Sequence, residues 1–191
     1  MDHPLLILAS ASPRRLELLA RIGIVPDRVA PTELDETPGR KELPRQLAAR
    51  LARLKAEAVD APGALVLAAD TVVGVGRRIL GKPTDREEAR RFLELLSGRR
   101  HRVHTGVALR RPDGSIGTRL VVSVVAFQRL TSQQVEAYLE SGEWQGKAGG
   151  YAIQGRAETF VRFLSGSHSN VVGLPLFETT QLLRGCGWLR P

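Results

Sequence analysis

The chain contains several short apolar runs whose length is typical of β-strands, separated by polar turns that contain glycine or proline. Residues 71–83 alternate between apolar and polar positions and then turn, as a β-hairpin does. Two longer runs are joined by the turn sequence RPDGS at residues 111–115. The predicted strands span residues 4–9, 64–70, 101–111, 115–128 and a shorter run within 159–166.

Other stretches place apolar residues three or four positions apart, which indicates amphipathic helices. In the second of these stretches the apolar positions are Leu47, Leu51, Leu54 and Ala58. Because helices and strands mix without a strict βαβ alternation, the pattern predicts a mixed-sheet α/β (α+β) fold. The predicted helices span residues 12–23, 44–59, 85–98, 131–142 and 175–184.

The composition is that of a globular protein with a buried core: 191 residues, of which 42% are hydrophobic and 25% are charged. This length favours a single domain over residues 1–191. The only cysteine, Cys186, cannot form an internal disulfide, which fits a reducing cytoplasm. No apolar run approaches the roughly 20 residues that cross a bilayer, and the N-terminal run is too short for a signal peptide. We therefore expect a cytoplasmic protein that does not associate with membranes.

The net charge of +8 at pH 7 suits an anionic partner, which is a nucleic acid, an acidic surface or a small polyanion. The basic residues are dispersed along the chain and do not form a long cluster. The chain has only five Phe, two Tyr and two Trp residues, so a stacked-aromatic platform for nucleic acid is not expected. The charge pattern therefore disfavours a nucleic-acid partner.

Two adjacent arginines, Arg14 and Arg15, stand at the predicted start of the first helix. The positive end of the helix dipole makes cations unfavourable there, so an anion is expected in front of them. Ser10 and Ser12 precede them in a turn of small residues, whose N–H and hydroxyl groups suit a phosphate together with the arginine forks. The alternative is an ordinary capped helix with two solvated arginines. The GxxxxGK[ST] phosphate-binding pattern is absent.

Carboxylates and lysines elsewhere in the chain extend this phosphate-binding hypothesis. Asp70 ends the apolar run at 64–70, and ligands of open α/β sheets bind at the carboxyl ends of strands. There it would hold a divalent cation or activate water, with a turn cap as the alternative. Asp35 and Glu36 add two carboxylates, which are otherwise solvated loop acids. Lys55 and Lys82, otherwise surface lysines, would neutralise a triphosphate while the carboxylates bind its metal.

The motifs LASASPRRLELL, LAADTVV, LGKP, KAGGYAIQG and SGSHSNVVGLPL occur in this order and resemble the Maf family of nucleoside triphosphate pyrophosphatases. The resemblance extends from about residue 6 to residue 184. It implies a two-lobed fold around a long mixed sheet with a central cleft, similar to that of inosine triphosphatases. It also implies hydrolysis of a nucleoside triphosphate to the monophosphate and diphosphate, with Mg²⁺ or Mn²⁺ as cofactor.

The resemblance also implies roles for individual residues. Asp70 matches the proposed general base of the family and, with Asp35 and Glu36, supplies the metal ligands. The positions that match the first phosphate-binding motif and the cleft lysines are Ser10, Arg14, Arg15, Lys55 and Lys82.

The family divides by the base that its members accept. Arg14, Thr71 and Gln154, the last within YAIQG, resemble the subgroup that hydrolyses dTTP and UTP. One alternative is a house-cleaning pyrophosphatase for another or modified base, such as 7-methyl-GTP. Another is a non-enzymatic regulator, because the family was first associated with inhibition of cell division and septum formation. The sequence leaves two alternatives for the oligomeric state, a homodimer and a monomer.

Overall fold

The computed structural model describes residues 4–189, which form a seven-stranded mixed sheet with helices on both faces. The predicted mixed α/β fold is confirmed. The strand order is β2-β1-β3-β5-β6-β7, and β4 pairs with β3 beside this path. The strands are β1 (Leu6–Leu8), β2 (Arg28–Val29), β3 (Leu65–Val75), β4 (Arg78–Leu80), β5 (Arg100–Arg110), β6 (Ile116–Phe127) and β7 (Val161–Ser165).

Of the six α-helices among the described residues, five lie where the apolar periodicity predicts them. The sixth, α5, has only five residues, too short for a 3.6-residue period to show in the sequence. Among residues 4–189, no helix is long and apolar enough to span a bilayer. The helices are α1 (Pro13–Arg21), α2 (Pro44–Ala58), α3 (Arg86–Leu96), α4 (Ser132–Glu140), α5 (His168–Val172) and α6 (Leu176–Gly185).

Strand β3 is longer than the predicted strand at 64–70, because it continues through Val75 into the predicted hairpin with β4. Gly76 makes the hairpin turn at φ 59. Asp70 therefore lies within a strand, and the expectation that it ends one is wrong. The β-branched residues Thr71, Val72, Val73 and Val75 favour the extension despite Gly74 among them.

Asp70 nevertheless faces an opening in the sheet. On one edge of β3, β1 pairs only with residues 65–67 and β4 pairs only with residues 73–75. Within the described chain, the part of β3 between these pairings has no strand neighbour on that edge, whereas β5 pairs along the other edge throughout. Asp70 and Thr71 line this opening because the sheet is interrupted beside them.

Two groups of helices pack on one face of the sheet and leave a cleft between them. Residues of α1 and α6 join the apolar core beside Leu67 and Leu109. Residues of α3 and α4 join it with Phe127, and the 3₁₀ turn Ala148–Gly150 contacts both α3 and β3. This arrangement agrees with the predicted two-lobed fold.

Helix α2 covers the other face of the sheet and lies very close to it. Leu47 and Leu51 are buried as the periodicity predicts, but Leu54 is half-buried and Ala58 is exposed. The side of α2 that faces the sheet carries mainly small side chains and one lysine. The remaining buried residues of α2 are Pro44, Ala48, Ala52, Lys55 and Ala56.

Gly106 of β5 makes this close approach feasible. It pairs with Asp70 across the β3–β5 ladder. A Cβ atom at Gly106 would collide with the carbonyl oxygen of Ala48 and lie 2.8 Å from its carbonyl carbon and 3.0 Å from Cα of Ala49. The missing side chain therefore sets the height of α2 above the strand that carries Asp70.

We expect Gly106→Ala to destabilise the protein by at least about 1–3 kcal/mol, because the methyl group meets helix backbone that has no side-chain freedom to yield. Urea unfolding of the variant and the wild type measures the difference. Gly185→Ala is the matched control, because a Cβ there meets nothing within 4 Å. Gly185 lies at the end of α6, so this control is expected to be no less stable than the wild type. Equal stability of the Gly106→Ala variant and the wild type would contradict the packing argument.

Candidate active site

A cleft of about 460 Å³ opens between the two helix groups, a volume that suits a small-molecule ligand. Its walls come from the β1–α1 loop, from the interrupted part of β3, from residues 145–154 and from the end of α5. The structure thus brings together all but one of the predicted site residues. Those that line the cleft are Ser10, Arg14, Arg15, Glu36, Lys55, Asp70, Thr71, Lys82 and Gln154.

Asp35 is the predicted site residue that does not line the cleft. It is exposed, and its Oδ1 accepts a hydrogen bond of 2.9 Å from the backbone N–H of Thr37. Hydrogen bonds from Thr37 lower the pKa of Asp35. Only Glu36 of this acidic pair reaches the lysines, and the sequence of a polar loop does not reveal which of two neighbouring acids turns inward.

Lys55 joins two carboxylates at the floor of the cleft. Its Nζ lies 2.5 Å from Oδ1 of Asp70 and 2.5 Å from Oε1 of Glu36. The side chains of Lys55 and Asp70 are only 9% and 10% exposed. Lys82 approaches Glu36 from the rim, with 3.4 Å between Nζ and Oε2. Because α2 lies so close to β3, the ammonium group is held over the strand and has little freedom to move.

The two carboxylates differ in basicity. Burial raises the pKa of Asp70, and the charges of Lys55 and Arg15 offset this effect only in part. Burial also acts to raise the pKa of Glu36, but the hydrogen bond and charge of Lys55, together with Lys82, outweigh it and lower the pKa. Asp70 is therefore the stronger proton acceptor of the pair.

Arg15 is fixed at the opposite wall by two hydrogen bonds. Its Nη1 donates to Oγ of Ser10 at 2.9 Å, and its Nε donates to the carbonyl oxygen of Gly173 at 2.9 Å. The hydroxyl of Thr71 lies 3.5 Å from the same carbonyl oxygen. Burial lowers the pKa of Arg15. A guanidinium that is oriented in this way offers its remaining N–H groups to a ligand in the cleft.

The first turn of α1 has the free donors that the sequence predicts. Ser12 is the N-cap residue, but its side chain makes no capping hydrogen bond, and the first turn has no acidic residue. Within the described chain, Arg14 has no hydrogen-bond or ion-pair partner. The N-terminus of α1 and both arginines therefore concentrate positive charge on this wall, which favours an anionic ligand.

Sequence reasoning missed the buried polar side chains that hold the end of α5. Asn170 is fully buried, and its Nδ2 donates to the carbonyl oxygen of Val103 at 3.2 Å and to Oγ of Ser123 at 2.9 Å. Thr105 donates to the carbonyl oxygen of Asn170 at 3.0 Å. These bonds anchor the segment whose Gly173 carbonyl orients Arg15. Thr105 and Ser123, polar residues within two long strands, were the available signal, whereas Asn170 lies in α5.

The carboxylates suit a metal that arrives with a polyphosphate. Among residues 4–189, no three His, Cys, Asp or Glu side chains are grouped closely enough to hold a metal ion by themselves. Asp70 and Glu36 do converge on a single cationic group, the Lys55 ammonium. Mg²⁺ is commonly bound by one or two carboxylates together with substrate phosphates and water. This donor set therefore fits such an ion.

Comparisons with known proteins give the chain's relatives. The sequence model of the Maf-like protein family matches residues 5–186. A protein named dTTP/UTP pyrophosphatase from Hyphomonas neptunium is 61% identical over 185 residues, which cover 97% of each chain. A protein of the same name from Sphingopyxis alaskensis is 62% identical over 185 residues, covering 96% of this chain and 97% of that one.

A solved structure of a HAM1 protein from Coxiella burnetii aligns with a TM-score of 0.52 at 18% identity, covering 95% of this chain and 99% of that chain. At this identity the likeness concerns the fold alone.

We expect Lys55→Met to destabilise the protein by about 3–5 kcal/mol at neutral pH, because it leaves the buried carboxylate of Asp70 without its cation. In this variant the folded-state pKa of Asp70 rises further above its unfolded value. Stability from the protonated carboxyl is then present below the unfolded pKa and is lost as pH rises through the folded pKa. Urea unfolding from acid to neutral pH should therefore show a deficit that grows with pH.

Two further variants separate this effect from a general loss of charge. Adding Asp70→Asn to Lys55→Met should recover part of the stability at neutral pH, because the unpaired charge is removed. Lys41→Met, in an exposed loop outside the cleft, should have little effect. A deficit in Lys55→Met that is the same at every pH would contradict the buried-pair explanation.

Proposed function

The chain belongs to the Maf-like protein family, and we propose that it is a nucleoside triphosphate pyrophosphatase that converts dTTP and UTP to the monophosphate and diphosphate. Relatives about 60% identical over nearly the whole chain carry the name dTTP/UTP pyrophosphatase, which supports the substrate class. The observation that carries the proposal is the ammonium of Lys55 between Asp70 and Glu36, facing two arginines across a small-molecule cleft.

In this proposal the triphosphate lies in the cleft with its charge spread over cations from both walls. The N-terminus of α1 presents backbone N–H groups, and Arg14 and Arg15 add forked donors that match phosphate oxygens. Lys82 adds a positive charge at the rim, where its side chain is 60% exposed. These groups stabilise the negative charge that accumulates as diphosphate leaves.

Asp70 is proposed to orient and deprotonate the attacking water. The water oxygen forms a bond to the α-phosphorus, the bond from that phosphorus to the diphosphate oxygen breaks, and the water proton passes to Asp70. Burial makes Asp70 more basic than an exposed aspartate, while Lys55 keeps it ionised enough to accept a proton. A base of this kind works best when its pKa lies nearer to the working pH.

A divalent ion is part of the proposed site. Asp70 and Glu36 would hold Mg²⁺ or Mn²⁺ together with the substrate phosphates, and the ion would supply electrostatic stabilisation of the transferring phosphoryl group. Asp35 is not included, because it does not line the cleft.

We also propose that residues 1–191 form one domain in a reducing cytoplasm. Both helix groups pack on the same sheet and share one continuous apolar core, which supports a single unit. Cys186 is a free thiol, which suits a reducing compartment.

Product analysis tests the proposed reaction. With UTP or dTTP and Mg²⁺ or Mn²⁺, chromatography should resolve the nucleoside monophosphate and diphosphate, and excess chelator should abolish turnover. Asp70→Asn should lower kcat at least about a hundredfold, the scale of general acid–base catalysis. Asp113→Asn, in the exposed β5–β6 turn, is the control and should keep full activity. Release of orthophosphate and a nucleoside diphosphate, or near-normal turnover by Asp70→Asn, would contradict the proposal.

Gln154 is proposed to read the base. It is exposed at the rim of the cleft, where its amide offers one acceptor and two donors. The edge shared by uracil and thymine presents two carbonyl oxygens and one N–H between them, which suits this combination. We expect Gln154→Ala to reduce the preference in kcat/KM for UTP and dTTP over CTP and GTP, because a mismatched base leaves fewer groups unpaired. A uniform fall in all four rates would show that Gln154 supports the cleft without reading the base.

A further inference from the structure

Two cations in the cleft have no carboxylate partner within the described chain: Arg14 and Lys147. The charges of Lys55 and Lys82 are compensated by carboxylates, and Arg15 is held by neutral acceptors. Lys147 donates only to the backbone carbonyl of Gln145, at 2.9 Å. Its charge, like that of Arg14, is therefore available to a ligand.

The two residues belong to different helix groups. Arg14 lies in the first turn of α1, whereas Lys147 directly precedes the 3₁₀ turn Ala148–Gly150, which packs on α3 and β3. The N–H of Gly149 donates to the carbonyl oxygen of Gly81 at 2.9 Å, which fixes this turn beside the loop that carries Lys82.

The backbone of this turn also requires glycine. Gly149 has φ 73, and a Cβ there would lie 3.0 Å from the side chain of Val73. Lys147 is thus held by a turn that only glycine forms without strain.

Arg14 and Lys147 line the same cleft from the two helix groups. Partial burial lowers the pKa of Lys147, and the positive charge of Arg14 lowers it further. Glu143 acts in the opposite sense, but its carboxylate already accepts a hydrogen bond of 2.8 Å from the backbone N–H of Arg156. An anion between the two cations would remove their repulsion and satisfy both sets of donors.

We propose that Lys147 is a phosphate-binding residue that forms, with Arg14, a clamp for the part of the triphosphate that leaves as diphosphate. This inference rests on the proposed function. The leaving diphosphate carries the greatest negative charge of the reacting groups, and it gains charge as the bond to the α-phosphorus breaks. Lys55 is poorly suited to neutralise it, because two carboxylates already compensate its ammonium. Within residues 4–189, Arg14 and Lys147 form no ion pair; Glu17 and Glu143 act on them only through longer-range charge.

Direct binding to the full chain in the presence of Mg²⁺ tests the clamp without turnover. Isothermal titration calorimetry with inorganic diphosphate and with UMP measures the two halves of the substrate separately. Lys147→Met should weaken diphosphate binding at least about tenfold, the scale of one charge-assisted hydrogen bond, and leave UMP binding unchanged. Lys147→Arg, which keeps the charge and a donor, should recover most of the affinity. Lys41→Met removes the same charge outside the cleft and should bind both probes like the wild type.

Other outcomes overturn the clamp. These are unchanged diphosphate affinity in Lys147→Met, an equal loss of UMP and diphosphate affinity, or a wild-type protein that does not bind diphosphate. The product analysis judges the proposed pyrophosphatase activity independently. A protein that hydrolyses UTP to UMP and diphosphate but whose diphosphate affinity does not depend on Lys147 would retain the proposed function and lose only the clamp.

Discussion

The ammonium group of Lys55, 2.5 Å from a carboxylate oxygen of Asp70 and of Glu36, is the contact on which the rest of the site depends. Burying Asp70 would be unfavourable without a nearby cation, because a charge loses its hydration in the protein interior. Lys55 reaches it only because α2 lies almost on the sheet, and α2 lies there because Gly106 has no side chain. A backbone packing constraint therefore maintains a buried, ionised carboxylate that faces a ligand cleft.

The cleft follows from the pairing of the sheet. Among residues 4–189, β3 has strand partners at both ends of one edge but none in the middle of that edge. This gap lies between two helix groups that pack on the same face. Acidic groups approach the gap from β3 and the loop before α2, while basic groups approach from α1, α2 and the turn at residues 145–150. A polyanion would be held by charges on both walls.

The sequence predicted the positions of the helices and strands better than it predicted how closely they pack and where their side chains point. Periodicity located five helices and the long strands, and the ordered motifs identified the family, because both signals are local. It did not show that β3 continues past Asp70, that Asp35 turns away from Glu36, or that Asn170 anchors the segment beside Arg15. These features depend on which strands pair and how closely α2 approaches, which are contacts between residues far apart in the chain.

The cleft is arranged for Asp70, kept ionised by Lys55, to direct water at the α-phosphorus. The position of attack can be read from hydrolysis of UTP in water enriched in the heavy isotope of oxygen, with the products separated and analysed by mass spectrometry. Attack on the α-phosphorus gives one heavy oxygen in UMP and none in the diphosphate. Heavy oxygen in the diphosphate would place the attack on the β-phosphorus and contradict this mechanism, even though the products would otherwise be the same.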